Sequence, residues 1–303
     1  MTAPEPQPDR PPRTLRVAIV ELTSTANPEV SLAQAHLRVE AAAAGGAQVV
    51  ALPEAVPLLG SEGDKARLAQ PVDGPWARAF SSWARSHGIH LLVGSIPERP
   101  EPPETRVHNT SLWFGPDGAL AARYRKIHLF DADVGDGHGY AESRSTAPGD
   151  RAVLWDGPVG RWGLTICYDV RFGSLYRDLA DAGAQVFAVP SAFTVPTGAA
   201  HWEVLLRARA IEHHAFVVAP AQSGDHGGGR KTWGHGMVVD PSGTVLAQTT
   251  PHAPVAWATL DLTARERARA ALPTHRHRRT YRVDSVAAAG SAGEPGCGSS
   301  QVA

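Results

Sequence analysis

Sulfur is scarce in this 303-residue chain, which has two cysteines and two methionines. Two cysteines, one of them (Cys297) in a polar Gly-flanked stretch, make no disulfide framework. That excludes the small cross-linked secreted class and fits a reducing compartment. A dominant charge is missing as well. Lys and Arg number 29 against 30 Asp and Glu, a formal net charge of −1, so no broad field draws in nucleic acid or an acidic membrane. No apolar run is long enough to span a bilayer. The opening MTAPEPQPDRPPRT lacks the apolar core of a signal peptide. No repeat recurs at a fixed short period. The expectation is a cytoplasmic protein with no nucleic-acid or membrane partner.

What is present is the balance of a globular chain with a full-sized core: 43% hydrophobic against 19% charged residues. Residues 1–14 and 287–303 are Pro- or Gly-rich and polar, and read as disordered tails around one domain over 15–286. Between them strand-like and helix-like segments alternate. Strands are expected over Leu15–Val20, Gln48–Leu52, Ile89–Ser95, Arg161–Cys167, Val186–Val189 and Phe216–Ala221. Helices are expected over Ser31–Ala44, with Ser31 as its N-cap, over Pro75–His87, stopped by Gly88, and over Leu175–Ala182 and Trp202–His214. The last of these carries apolar residues on more than one face, which places it between layers or at a subunit contact. Thr110–Phe114 and Ala119–Tyr124 flank the turn Gly115-Pro116-Asp117-Gly118, a hairpin signal. Such mixed alternation points to α/β layers, with helices over mixed sheets.

Three polar residues share a position: Glu54 after VVALP, Lys126 after LAARYR and Cys167 after WGLTI each end a strand-like run and begin a loop. Ligand sites in α/β folds gather beyond the carboxyl ends of strands. A thiol, a carboxylate and an ammonium meeting there would suit acyl transfer, with a nucleophile, a proton carrier and an oxyanion partner. Each residue alone has a plainer reading. Cys167 is a small buried hydrophobe, Glu54 a helix cap, and Lys126, between Arg125 and His128, a solvated basic edge. Periodicity cannot bring three such distant residues together.

Three motifs tie them to a known family. Leu52-Pro53-Glu54-Ala55, Tyr124-Arg125-Lys126-Ile127-His128-Leu129-Phe130-Asp131 and Cys167-Tyr168-Asp169-Val170-Arg171-Phe172 come in the order of the nitrilase superfamily of carbon–nitrogen hydrolases, which the chain resembles from about Arg16 to Tyr281. Pro190-Ser191-Ala192-Phe193, Thr197-Gly198 and the run from Ala200 to Glu212 are similar to the Nit1-like branch, the deaminated glutathione amidases. The resemblance implies a four-layer αββα sandwich, assembled as a homodimer or higher homo-oligomer. It implies a Glu-Lys-Cys triad of Glu54, Lys126 and Cys167. Tyr140-Ala141-Glu142-Ser143 is similar to the loop that supplies a second active-site carboxylate, Glu142. Gly173 departs from the family, where Pro often stands, and so does the Gly-rich loop Asp133–Gly139; both bear on substrate choice.

The expected chemistry is hydrolysis of a linear amide through a thioester on Cys167. Glu54 is the base, Lys126 and the Tyr168 backbone N–H face the oxyanion, and Glu142 orients Lys126 or the substrate. The resemblance places Arg171, Phe193 and Thr197 along the substrate pocket. Arg171 is open to two readings: a bidentate grip on a substrate carboxylate, which would favour acidic amides, or a partner of Asp169 that braces the turn. An ω-amidase acting on α-ketoglutaramate, another aliphatic amide or N-carbamoyl hydrolase, and a non-catalytic binding scaffold are the alternatives. His213, His214, His226, His235, His275 and His277 show no zinc-type spacing, and no metal or organic cofactor is expected.

Overall fold

The structure, a computed structural model, describes residues 13–286. The tail readings rest almost wholly on residues outside that range, as does Cys297. The elements follow in chain order: β1 (Thr14–Leu22), α1 (Pro28–Ala44), β2 (Val49–Ala51), α2 (Glu62–Leu68), α3 (Pro75–His87), β3 (His90–Glu98), β4 (His108–Phe114) and β5 (Leu120–Arg125). Then come β6 (Asp131–Asp133), β7 (Gly139–Ala141), β8 (Val153–Gly157), β9 (Gly160–Leu164), α4 (Gly173–Asp181), β10 (Val186–Ala188) and α5 (Val195–His213). After these come β11 (Phe216–Ala219), β12 (Ala221–Asp225), β13 (Lys231–Trp233), β14 (Met237–Val239), β15 (Val245–Gln248), β16 (Val255–Asp261) and α6 (Ala264–Ala271).

Two large sheets organise these strands. One runs β13-β12-β1-β2-β3-β4-β5, with β16 also paired to β1; the other runs β15-β14-β11-β10-β9-β8. In the first sheet β1, β2 and β3 are parallel; in the second β9, β10 and β11 are parallel. The period-2 alternation of β1 assigns the layers. Ala18, Val20 and Leu22 join a core with Val39 of α1 and Phe80 of α3. Val17 and Ile19 turn the other way, into a core with Trp162, Phe187 and Val217 of the second sheet and with Tyr176 and Leu206 of α4 and α5. The order is helices, sheet, sheet, helices, the αββα sandwich the motifs imply.

Several expectations needed adjustment. Helix α1 begins at Pro28, not Ser31. Asn27 is its cap, accepting from Glu29 N at 3.0 Å, and Pro28 takes the first position, where an N–H has no partner anyway. Ser31 instead bonds back to Asn27 O at 3.1 Å. Helix α5 starts seven residues before Trp202, with Pro196 in its first turn. The strand expected over Phe216–Ala221 is two strands. At Pro220 the chain leaves the second sheet and enters the first as β12, alongside β1. The strand expected to reach Cys167 ends at Leu164, and Cys167–Arg171 is a 3-10 turn. Helices α2 and α6 and the hairpin β6–β7 are additions. Each is too short or too polar to show in the apolar pattern.

Candidate active site

The carboxyl ends of β2, β5 and β9 point to one end of the sandwich, and the loops leaving them carry Glu54, Lys126 and Cys167. Two of these loops begin with a backbone forced into the left-handed region. Ala55 has φ 58° and Cys167 has φ 49°, values unusual for residues with a side chain. Neighbouring bonds hold them there. Ser95 Oγ accepts from Ala55 N at 2.8 Å, and Gln222 Nε2 donates to Glu54 O at 2.8 Å. Cys167 N donates to Pro190 O at 2.9 Å. Gly94 of β3 passes directly beneath. A Cβ there would lie 2.2 Å from Pro53 O and 2.4 Å from Pro190 Cβ, so only glycine lets the Glu54 loop and the Pro190 strand end close on one another.

These loops bring the three side chains together. Lys126 Nζ is 3.1 Å from Glu54 Oε1 and 2.9 Å from Glu142 Oε2. Lys126 is 2% exposed, Glu54 6% and Cys167 8%, so the cluster is almost out of water. Burial alone would lower the Lys126 pKa. The carboxylates of Glu142 and Glu54, and then Cys167, outweigh it and hold the ammonium charged well above its usual range. Burial pushes the Glu142 carboxyl up, but the charges of Lys126 and then Lys65, with the Phe130 N–H that donates to it at 2.8 Å, bring it down to about 2. The Cys167 thiol is raised, by burial first and the Glu54 charge second, with Lys126 opposing. At rest, then, the site holds a protonated thiol beside a lysinium, and it needs a base to make the thiolate.

A fourth group completes the array. Asn109 of β4 donates to Glu54 Oε1 at 2.9 Å and to Glu142 Oε1 at 3.2 Å from the same Nδ2. It therefore ties the two carboxylates together, and it lines the same cavity. The sequence reading missed it. Its one visible signal is an amide on the strand of the Thr110–Phe114 hairpin, two residues ahead of the run facing Tyr124.

A cavity of about 380 Å³ opens over these groups, and Tyr168, Arg171, Phe193 and Thr197 all line it. The Tyr168 N–H, in the first turn after Cys167, has no acceptor among the described residues. Arg171 lies over the rings of Phe193, at 5.3 Å, and Tyr168, at 5.7 Å. Among the described residues its one polar side-chain contact is His201 Nδ1 at 3.3 Å. Asp169, the alternative partner for Arg171, is taken by others. It accepts from Tyr124 Oη at 2.6 Å, Ile166 N at 2.9 Å and His128 N at 3.0 Å, and His128 Nδ1 lies 2.7 Å away. The bracing is therefore done by Tyr124 and His128, and Arg171 faces the cavity. Thr197 sits in the first turn of α5, its Oγ1 2.8 Å from Thr194 Oγ1.

The cover of the cavity comes from β6–β7 and the loop around Arg230. Tyr140 of β7 and Arg230 both line it. His138 Nε2 lies 3.2 Å from Gly229 O, joining the two segments. Phe130 packs between Tyr140 and Tyr168, at 5.0 and 5.1 Å.

The model of the carbon–nitrogen hydrolase family matches residues 16–270. A deaminated glutathione amidase of Yersinia enterocolitica is 39% identical over 269 residues, covering 88% of this chain and 94% of its own. The ω-amidase NIT2 of Homo sapiens is 35% identical over 267 residues, covering 88% of this chain and 96% of its own. Among solved structures, the Caenorhabditis elegans NitFhit protein superposes with a TM-score of 0.82 at 37% identity, over 88% of this chain and 65% of that longer one. No helix of the described residues is long and apolar enough to cross a membrane. The chain belongs to the carbon–nitrogen hydrolase family, and it is an amidase acting on carbon–nitrogen bonds other than peptide bonds.

Proposed function

We propose that the enzyme hydrolyses a linear amide through a thioester on Cys167, with deaminated glutathione as its substrate. The observation that carries the mechanism is the near-dry contact of Lys126 with Glu54 and Glu142 on the floor of the cavity that Cys167 also lines. Glu54 takes the thiol proton as sulfur attacks the amide carbon. The carbonyl oxygen becomes an oxyanion beside the Lys126 ammonium and the free Tyr168 N–H. Donors of that kind are worth about 3 kcal/mol each in the transition state. The C–N bond breaks, Glu54 returns the proton to the leaving nitrogen, and the acyl group stays on sulfur. A water then gives its proton to Glu54 and attacks the thioester carbon. Carboxylic acid is released, and the proton goes back to Cys167. Glu142 keeps Lys126 charged and aimed, a positioning role, and no metal or organic cofactor takes part.

Substrate choice rests on Arg171. Its guanidinium, framed by Tyr168 and Phe193 and without a carboxylate partner among the described residues, suits a bidentate bond to an acidic amide. Deaminated glutathione fits that requirement, and the Yersinia relative is named for it. The same guanidinium would serve α-ketoglutaramate, so an ω-amidase is the second reading, supported by the human relative.

The outer face of α5 supports self-association. Val204 is 68% exposed and Ile211 47%, two turns apart on one side, where a second copy would cover them. With a free thiol at its centre, the enzyme suits a reducing cytoplasm.

The test is a substrate panel of deaminated glutathione, α-ketoglutaramate and neutral aliphatic amides, following release of ammonia or amine. Turnover is expected to be greatest on deaminated glutathione and to fall to background in Cys167→Ala, about 10⁴-fold or more. Turnover that survives Cys167→Ala would end the thioester mechanism. A preference for α-ketoglutaramate would select the second reading.

A further inference from the structure

Far from the cavity, on the helical layer that covers the first sheet, three metal-binding side chains converge. His36 and Glu40 stand one turn apart on α1, and His87 lies in the last turn of α3. Their donor atoms all lie within 4.8 Å of one another. His36 Nε2 is 3.8 Å from Glu40 Oε1. Packing, not a hydrogen bond, sets the His36 ring. It lies flat on the Trp83 indole, with centroids 4.8 Å apart and planes within 12°. Trp83 is held edge-on by Phe80, 5.0 Å away, which is fully buried in the core beneath. Trp83 and His87 are themselves one turn apart on α3, so the face that stacks His36 also presents His87 to it.

A surface ion pair between His36 and Glu40 would explain two of these residues and leave the third unexplained. His87 puts a second imidazole 6.5 Å, centre to centre, from the first. Two imidazolium rings so close would repel, whereas two neutral imidazoles and a carboxylate make a ligand set. We infer that His36, Glu40 and His87 bind a divalent transition-metal ion of the zinc class and so clip α1 to α3. Nitrogen donors favour Zn²⁺ and its neighbours over Mg²⁺ or Ca²⁺, which take oxygen. Bonds of about 2.0–2.2 Å require the donors to close to roughly 3.5 Å. Glu40 is exposed, and His36 and His87 are partly buried, so a small rotation of Glu40 and His87 toward the stacked His36 ring would close the set. The carbonyl end of α3 adds partial negative charge beside His87, which favours a cation. Water would complete the coordination. The ion would be structural, because the sheet separates it from Cys167.

Metal analysis after equilibrium dialysis of the EDTA-stripped full chain against micromolar Zn²⁺ tests this. Wild type, His36→Ala and His87→Ala are compared, so that zinc held by thiols or other histidines cancels. Each variant should bind about one equivalent less than wild type. The melting temperature of wild type should rise with zinc by about 4 °C or more, and that of the variants should not. Binding should also weaken from pH 7 to pH 5, as protons compete for the imidazoles. Amidase activity of the stripped variants, equal to wild type, shows that they fold; if His87→Ala does not, His87→Gln takes its place. Equal zinc content in wild type and variants, or an equal thermal shift, overturns the site.

Discussion

The floor and the cover of the cavity are built by different means. The floor is made of strand ends. Glu54, Lys126 and Cys167 sit just past strand ends of two buried sheets, the Glu54 loop pinned by Ser95 and Gln222, Lys126 by Asn109 O and Cys167 by Pro190, with Gly94 packed without room for a methyl group. The cover is a two-stranded hairpin of three residues a side, β6–β7, touching a glycine loop through one histidine. The contrast separates two tasks. The reacting atoms need positions held to a fraction of an ångström, which close-packed strands supply. A substrate must also get in and out, and small segments with few buried contacts open at little cost. Glu142 belongs to both, since it follows the hairpin and yet bonds Lys126 and Asn109 on the floor.

Substitutions in the floor should therefore change kcat, and those in the cover should change KM. The largest effect is expected from Glu54→Gln, which keeps the shape and removes the proposed base. kcat should fall about 10²–10⁴-fold with KM little altered, measured by steady-state ammonia or amine release. A fall confined to KM would erase the distinction. Asn109→Ala comes next. It leaves two carboxylates without their shared donor, and hydrogen bonds to charged groups are worth about 1.5–3 kcal/mol, so kcat should drop roughly 10–100-fold. Asn109→Asp should be worse still, because it sets a third carboxylate against Glu54 and Glu142.

Arg171→Met marks the border between the two regions. KM for acidic amides should rise roughly tenfold or more while neutral amides are barely affected; equal effects on both would remove Arg171 from substrate recognition. The smallest effect is expected from His138→Ala, which cuts the one bond between hairpin and glycine loop. KM should move by about threefold or less, with kcat unchanged. A kcat loss as large as that of Asn109→Ala would show the cover to be part of the chemistry.

Legibility in the sequence follows the same division. The floor was legible in part: Glu54 and Cys167 stand out where apolar runs end, but Lys126 follows the half-exposed strand LAARYR, and only the three family motifs join it to the others. The αββα layer order came from the family resemblance, because the continuous apolar run of β1, buried on both faces, does not say what covers either one. The cover was not legible. Strands as short and polar as Asp131–Asp133 carry no periodic signal, and their pairing depends on a turn of glycines that could equally be loop. Asn109 escaped because its role depends on β4 lying between β3 and β5, so that its amide reaches two carboxylates 55 and 33 residues away. Arg171 needed the structure for a subtler reason. The adjacent Asp169 is the obvious partner in sequence, but Tyr124 and His128 had already filled its oxygens.

The switch at Pro220 carries one more implication. Cys167 N hangs on Pro190 O, Ser191 N on Pro220 O, and Gln222, just past the switch, holds the Glu54 loop. The reactive sulfur is thus knotted into a seam that exists only when both sheets have docked. A nascent or damaged chain carries an ordinary thiol with no base, no lysinium and no strained elbow beside it. The onset of Cys167 reactivity would therefore report the docking of the two sheets.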